Sequence, residues 1–242
     1  MKTFSSILVA LTMGIILSSC ESDGTTADSS KPKARGSIGE IILVIDSVKW
    51  AGPVGEELKE IFESDIPGMI RSEAKFKVNT VDPRAMTRML KMSTNLIYVT
   101  TFDDKGSASQ AINAQFSKES KEKAMNDTNI YSLRMEDEYA IGQEVLYLFG
   151  NTEDQLIANL KKNGDRLQNL FEVRERGRLE KILLARKNSA AASEAKKNLG
   201  IEINVPASYQ VAKSEDDFLW VRQITPSGNR ADISLFFYET DY

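Results

Sequence analysis

A carboxylate, an indole and two closely spaced glycines fall together in Asp46-Ser47-Val48-Lys49-Trp50-Ala51-Gly52-Pro53-Val54-Gly55. If Asp46 ends a strand and Pro53 opens a helix, this stretch lies where α/β sheets gather ligands, at the carboxyl ends of their strands. A helix start adds free N–H groups and positive potential. A small anionic or sugar-like ligand could then stack on Trp50, bond to Asp46 and approach the backbone at Gly52 and Gly55. The competing reading is structural and is favoured: Trp50 folds into the core, Asp46 caps the turn and the glycines shape the backbone. The segment is no phosphate loop, since the Lys-Ser/Thr ending is missing. A second acidic constellation is Glu136-Asp137-Glu138, with Gln143 and Glu144 close behind. In a strand, Glu136 and Glu138 would share a face and could hold a cation or exchange protons. A solvated loop is the favoured reading. Met86, Met89 and Met92 read as core filling. Phe218 and Trp220 share one strand face and Leu219 and Val221 the other, so burial on both sides is expected, with a carbohydrate-stacking platform as the lesser alternative.

Composition removes most other chemistry. The 242 residues contain no histidine and one cysteine, Cys20. Triads built on histidine, histidine general bases and the usual zinc sets are therefore excluded. No metal site and no cofactor is expected. Lys and Arg total 31 against 35 Asp and Glu, a net charge of −4. Such a balance argues against nucleic acid as a partner, because that affinity comes largely from neutralising phosphates. The local run Arg174-Glu175-Arg176-Gly177-Arg178 interleaves acid with base and reads as a solvated helix face laced with ion pairs.

The elements that must position these groups begin after a distinctive N-terminus. Met1-Lys2 precedes an apolar stretch over residues 7–17, the length of a signal-peptide core and too short to span a bilayer. Leu17-Ser18-Ser19-Cys20 then resembles the box of bacterial lipoprotein signals. That resemblance implies cleavage before Cys20 and a diacylglyceryl group on its thiol, so residues 1–19 are a signal peptide. It makes the membrane a partner and places the protein in the cell envelope, at the outer membrane, with periplasmic and surface faces both open. Residues 20–35 are polar and read as a flexible tether.

Residues 40–46 form a continuous apolar run, as in a strand buried on both faces. A turn follows, then a helix from Pro53 with Val54, Leu58, Ile61 and Phe62 on its apolar face. Phe76, Val78 and Thr80 alternate as a half-buried strand, and a short helix carries Met86, Met89 and Leu90. Residues 95–102 read as a third strand and 107–126 as polar helix, anchored weakly by Ala111, Ala114 and Phe116. Residues 130–135 and 144–149 read as two more strands. Thr152 and Gln155 suggest a capping box. Two helical regions then lead to the Ala-rich segment at 190–195. Four β-like stretches follow at 201–205, 209–212, 218–224 and 232–238, with a hairpin turn at 226–229. The fold class is α+β or α/β: a helix-covered sheet module over 36–164, then a helical connector and an antiparallel β-rich module over 165–242, which is expected to be shorter than in relatives.

Asp46 with 50–55, residues 175–179, Val205-Pro206-Ala207-Ser208-Tyr209 and residues 218–222 together resemble an uncharacterised Bacteroidetes-type lipoprotein family, a domain of unknown function. The resemblance implies location and fold but no reaction, and it implies that relatives continue past residue 242. The favoured function is a binding or assembly role with an envelope protein or glycan as partner. The alternative is an envelope hydrolase using carboxylate chemistry near Asp46.

Overall fold

The computed structural model describes residues 31–224 and 232–240. Cys20, the signal peptide, most of the tether and the expected turn at 226–229 lie outside the described residues. No helix among those described is long and apolar enough to cross a membrane.

Apolar runs with no polar face build the first sheet. β1 (Glu40–Val44), β3 (Asn95–Thr101) and β5 (Glu144–Gly150) are parallel neighbours, and every residue of β3 and β5 is buried. β2 (Lys77–Val81) adds a parallel edge, and β4 (Ser132–Glu136) closes the other edge antiparallel to β5. The order is β2-β1-β3-β5-β4. Strand alternation sends neighbouring side chains to opposite faces, and each face needs its own cover. Ile41, Leu43, Ile97, Val99, Leu146 and Leu148 pack beneath α2 (Pro53–Phe62) and α6 (Glu153–Leu183). Ile42, Val44, Leu96, Tyr98, Val145 and Tyr147 face the other way, toward α4 (Ser107–Asn113) and α5 (Lys118–Asn126). The first module is thus a three-layer helix–sheet–helix sandwich.

Several local expectations change in the folded chain. The turn after β1 is a short helix, α1 (Ser47–Ala51), and Trp50 lies within it. Ile112 is fully buried and anchors the 107–126 region, whereas Ala114 is exposed. Met89 is 73% exposed on α3 (Arg88–Lys91), so the methionine series does not act together as core. Only Met86 packs on the second face. Thr152 caps α6 as expected, its hydroxyl accepting from Gln155 N, but the Gln155 carbonyl reaches Asn151 N, one residue earlier than a capping box requires.

α6 is one helix of 31 residues, about 46 Å long. It runs unbroken through 164–165, where the sequence suggested a module boundary. Leu156, Leu160, Leu167 and Phe171 hold it to the sheet along this length. The polypeptide leaves the first module only after Leu184. α7 (Ser189–Leu199) is capped by Asn188, whose side chain also donates to Tyr209 O at 2.6 Å. β6 (Gln210–Glu215), β7 (Phe218–Gln223) and β8 (Ile233–Tyr238) form an antiparallel sheet in chain order. Residues 201–205 form no strand. Ala191 and Ala195 of α7 pack on Leu219 and Val221, so small side chains bring this helix close to its sheet. That cover buries one face only. Phe236 and Tyr238 are 55% and 67% exposed on the other face, beside Trp220 and Phe218, against the expectation of burial on both sides.

Candidate functional site

The residues first suspected, Asp46, Trp50, Gly52 and Gly55, do come together at the carboxyl end of β1. Asp46 is the N-cap of α1, its side chain accepting from Val48 N at 2.8 Å. Trp50 is half-buried against the first core, with Lys59 Nζ 4.6 Å from its ring centroid. Gly52 N donates to Lys49 O. Gly55 is buried so tightly that a Cβ there would stand 1.8 Å from Trp50 O. Close approach of two helices explains this glycine, and none of the four residues lines any of the larger cavities.

Beside them, at the β1/β3 junction where the strand order reverses, Lys49 is buried and meets Asp104 Oδ2 at 2.9 Å and Glu153 Oε1 at 3.6 Å. Partial burial pushes the Asp104 carboxyl up, but hydrogen bonds from Lys49, Ser109 and Gly106 N more than offset it and hold its pKa to about 2. The crevice where ligands commonly enter such sheets is here spanned by an ion pair.

The acidic triplet divides in the structure. Glu136 pairs with Arg134 and Arg174. Asp137 adopts φ 55°, a left-handed conformation that Asp tolerates, and accepts from Gly142 N and Gln143 N to build the β4–β5 turn. Glu138 turns toward a cavity. Among the described residues, no group of three acidic or thiol side chains could hold a metal ion.

The arginine-rich run on α6 is not a solvated face. Glu175 is 7% exposed and accepts from Asn95 Nδ2 (2.8 Å) and Gly39 N (3.0 Å). Arg178 bonds to Glu175, to Asn95 Oδ1 and to the carbonyls of Thr94 and Gly142. Fully buried Glu144 is chelated by Arg134 through two bonds, with Arg174 at 3.5 Å. These groups lock α6 onto the amino ends of β1, β3 and β5. Interleaved charge in a sequence cannot reveal this, because only the docking of α6 removes it from water.

A cavity of about 660 Å³ lies on the second sheet face. Tyr98 on β3 and Tyr147 on β5 are register partners, so their rings rise side by side from the sheet, 4.7 Å apart and nearly parallel at 9°. Tyr139, in the turn after β4, brings its hydroxyl to 3.2 Å from that of Tyr147. Tyr147 donates its only hydroxyl proton to Gln115 Oε1 at 2.9 Å, so Tyr139 must be the donor in the phenol–phenol bond. The Tyr98 hydroxyl, in a residue 1% exposed, makes no hydrogen bond of good geometry; Tyr139 is the polar group that approaches it, and only loosely. Burial, reinforced by neighbouring Tyr139 and Glu138, pushes the ionisation of Tyr98 and Tyr147 well above the usual phenol range. Both therefore act as neutral donors and acceptors, never as phenolate bases.

The walls come from separate elements. Met86 and Lys91 stand at one side, Gln115, Phe116, Ser117 and Ser120 at the α4–α5 junction, Leu133, Met135 and Glu138 along β4 and its turn. Gln143 fixes two walls together: its amide donates to Lys91 O and Ser93 O, both at 2.6 Å, and its carbonyl accepts from Tyr139 N. Sequence reasoning missed this site. Its one available signal was a tyrosine at the same depth in two strongly apolar strands.

The chain is thus a helix-sandwiched mixed sheet with a tyrosine-floored cavity, joined to a small antiparallel module. A model of a domain of unknown function (DUF8532) matches residues 34–184, and the chain belongs to that family. A second domain of unknown function (DUF4837) matches residues 188–242, so the two matches meet in the linker between α6 and α7. No curated protein and no solved structure matches the chain.

Proposed function

We propose that the protein is a lipid-anchored component of the cell envelope, attached through Cys20 at the outer membrane, whose folded body binds a small ligand in the tyrosine cavity. The lipoprotein box at residues 17–20 and the polar tether behind it support the anchor. Two or more acyl chains hold a protein stably to a bilayer where one does not. The observation that carries the binding role is the Tyr98 hydroxyl on the cavity floor, which makes no hydrogen bond of good geometry: a poorly satisfied buried polar group costs free energy that a ligand can recover. The cavity volume also falls in the range of small-molecule sites. A hydrolytic role near Asp46 lacks comparable support, since that carboxylate is engaged as a helix cap.

Two measurements test the reading. Mass spectrometry of the mature protein should find an acylated Cys20 as its first residue, and Cys20→Ser should move the protein from the membrane fraction to the soluble one. A soluble protein retaining residues 1–19 overturns the anchor. Ligand screening by proton NMR should perturb the ring signals of Tyr139 and Tyr147 with wild type.

A further inference from the structure

Opposite charges pair at several points in this protein, as Lys49 with Asp104 and Arg178 with Glu175. In the tyrosine cavity they do not. Lys91 and Glu138 both line it, yet neither forms an ion pair among the described residues. The Lys91 ammonium instead lies 5.3 Å from the centroid of the Tyr139 ring. The Glu138 carboxylate accepts no hydrogen bond, although it is close enough to Tyr98 and Tyr147 to disfavour their ionisation. The same cavity is lined by the apolar side chains of Met86, Phe116 and Met135 and by Tyr98, whose hydroxyl makes no hydrogen bond of good geometry.

Ligand classes can be sorted against this arrangement. An anion would meet Lys91 and be repelled by Glu138; an organic cation would meet the reverse. A neutral sugar would leave both charges facing uncharged hydroxyls. Only a ligand carrying both signs on an apolar frame satisfies every group. Resting on the reading of this cavity as the binding site, we propose that its ligand is an amino-acid-like zwitterion, an apolar amino acid or short peptide with both termini free. Its carboxylate lies against Lys91 and accepts the Tyr98 hydroxyl proton, its ammonium faces Glu138, and its side chains rest on Met86, Phe116 and Met135.

Titration calorimetry on the full chain in detergent, with leucyl-leucine, its N-acetyl form, its C-terminal amide and glucose, tests the assignment. The free dipeptide should bind, and each capped form should bind about tenfold more weakly or worse, the value of one charge-assisted contact. Glu138→Gln should abolish the penalty for acetylation while leaving that for amidation, and Lys91→Met should do the converse. Both positions are partly exposed, and circular dichroism checks that the variants fold. Equal binding of free and capped dipeptides, or binding of glucose alone, overturns the zwitterion and leaves the cavity reading standing. No binding by any probe, together with unperturbed Tyr139 and Tyr147 ring signals, overturns both.

Discussion

Replacing Tyr98 by Phe separates a cavity held ready for a ligand from a merely packed core. Tyr98 and Tyr147 are a matched pair: adjacent in register, stacked at 4.7 Å, both nearly inaccessible. Each Tyr→Phe change keeps the ring and the stack and deletes one hydroxyl. For Tyr147 that hydroxyl carries two hydrogen bonds, to Gln115 and from Tyr139, so its loss should cost about 1–2 kcal/mol. For Tyr98 no well-formed bond is lost, only a loose approach to Tyr139, and a poorly satisfied desolvated hydroxyl is removed. A buried polar group without a partner costs about 1–3 kcal/mol, so Tyr98→Phe should raise stability by about 1 kcal/mol. In a chain of this size that is roughly 2–4 °C in Tm. Urea denaturation and calorimetry on both variants measure the contrast, with an unchanged m-value guarding against a changed unfolded state. If Tyr98→Phe destabilises as much as Tyr147→Phe, the Tyr98 hydroxyl is already satisfied, and the argument from an unmet donor fails.

Three further perturbations test the framework. Gly55→Ala forces a methyl to within 1.8 Å of the Trp50 carbonyl and should lower stability by about 3 kcal/mol or more, whereas Gly177→Ala, with open space around it in α6, should gain about 0.5–1 kcal/mol; urea midpoints report both. Arg178→Met strips Glu175 of its charged partner while leaving it buried, and should cost about 3–5 kcal/mol in the same assay. Asp104 titrates lower in the folded state than its ordinary value of 3.8, so its contribution is present above that value and is lost as pH falls toward about 2. Asp104→Asn should therefore flatten the acid side of the stability–pH curve between about pH 4 and pH 2, and an unchanged slope refutes the lowered titration of Asp104.

Parts of this molecule were readable before folding and parts were not. The runs at residues 40–46, 95–102 and 144–149 announce buried strands because apolar residues dominate them without a polar alternation, and β1, β3 and β5 occupy those positions. Pro53 opens α2 with Val54, Leu58, Ile61 and Phe62 inward, as their spacing requires. The exposed aromatic face of β7 and β8 was misjudged because alternation tells which residues share a face, not whether a neighbour covers it. Met89 was misjudged for a related reason: helical spacing groups it with Met86, but α3 is only four residues long and presents it outward.

Sequence alone determined the chemistry that is absent, histidine and thiol catalysis in the folded body, along with the strand and helix periods that specify an α+β fold. Those properties are local, carried by residue type and by the spacing of neighbours along the chain. Which residues meet was decided by tertiary structure. Tyr98 and Tyr147 stack because β3 and β5 pair in parallel register, Tyr139 joins them through the turn that Asp137 builds, and Glu175 and Arg178 become interior because α6 docks across the strand starts. Such contacts join residues tens of positions apart, and burial, which sets both their energy and their use, exists only once the layers have closed.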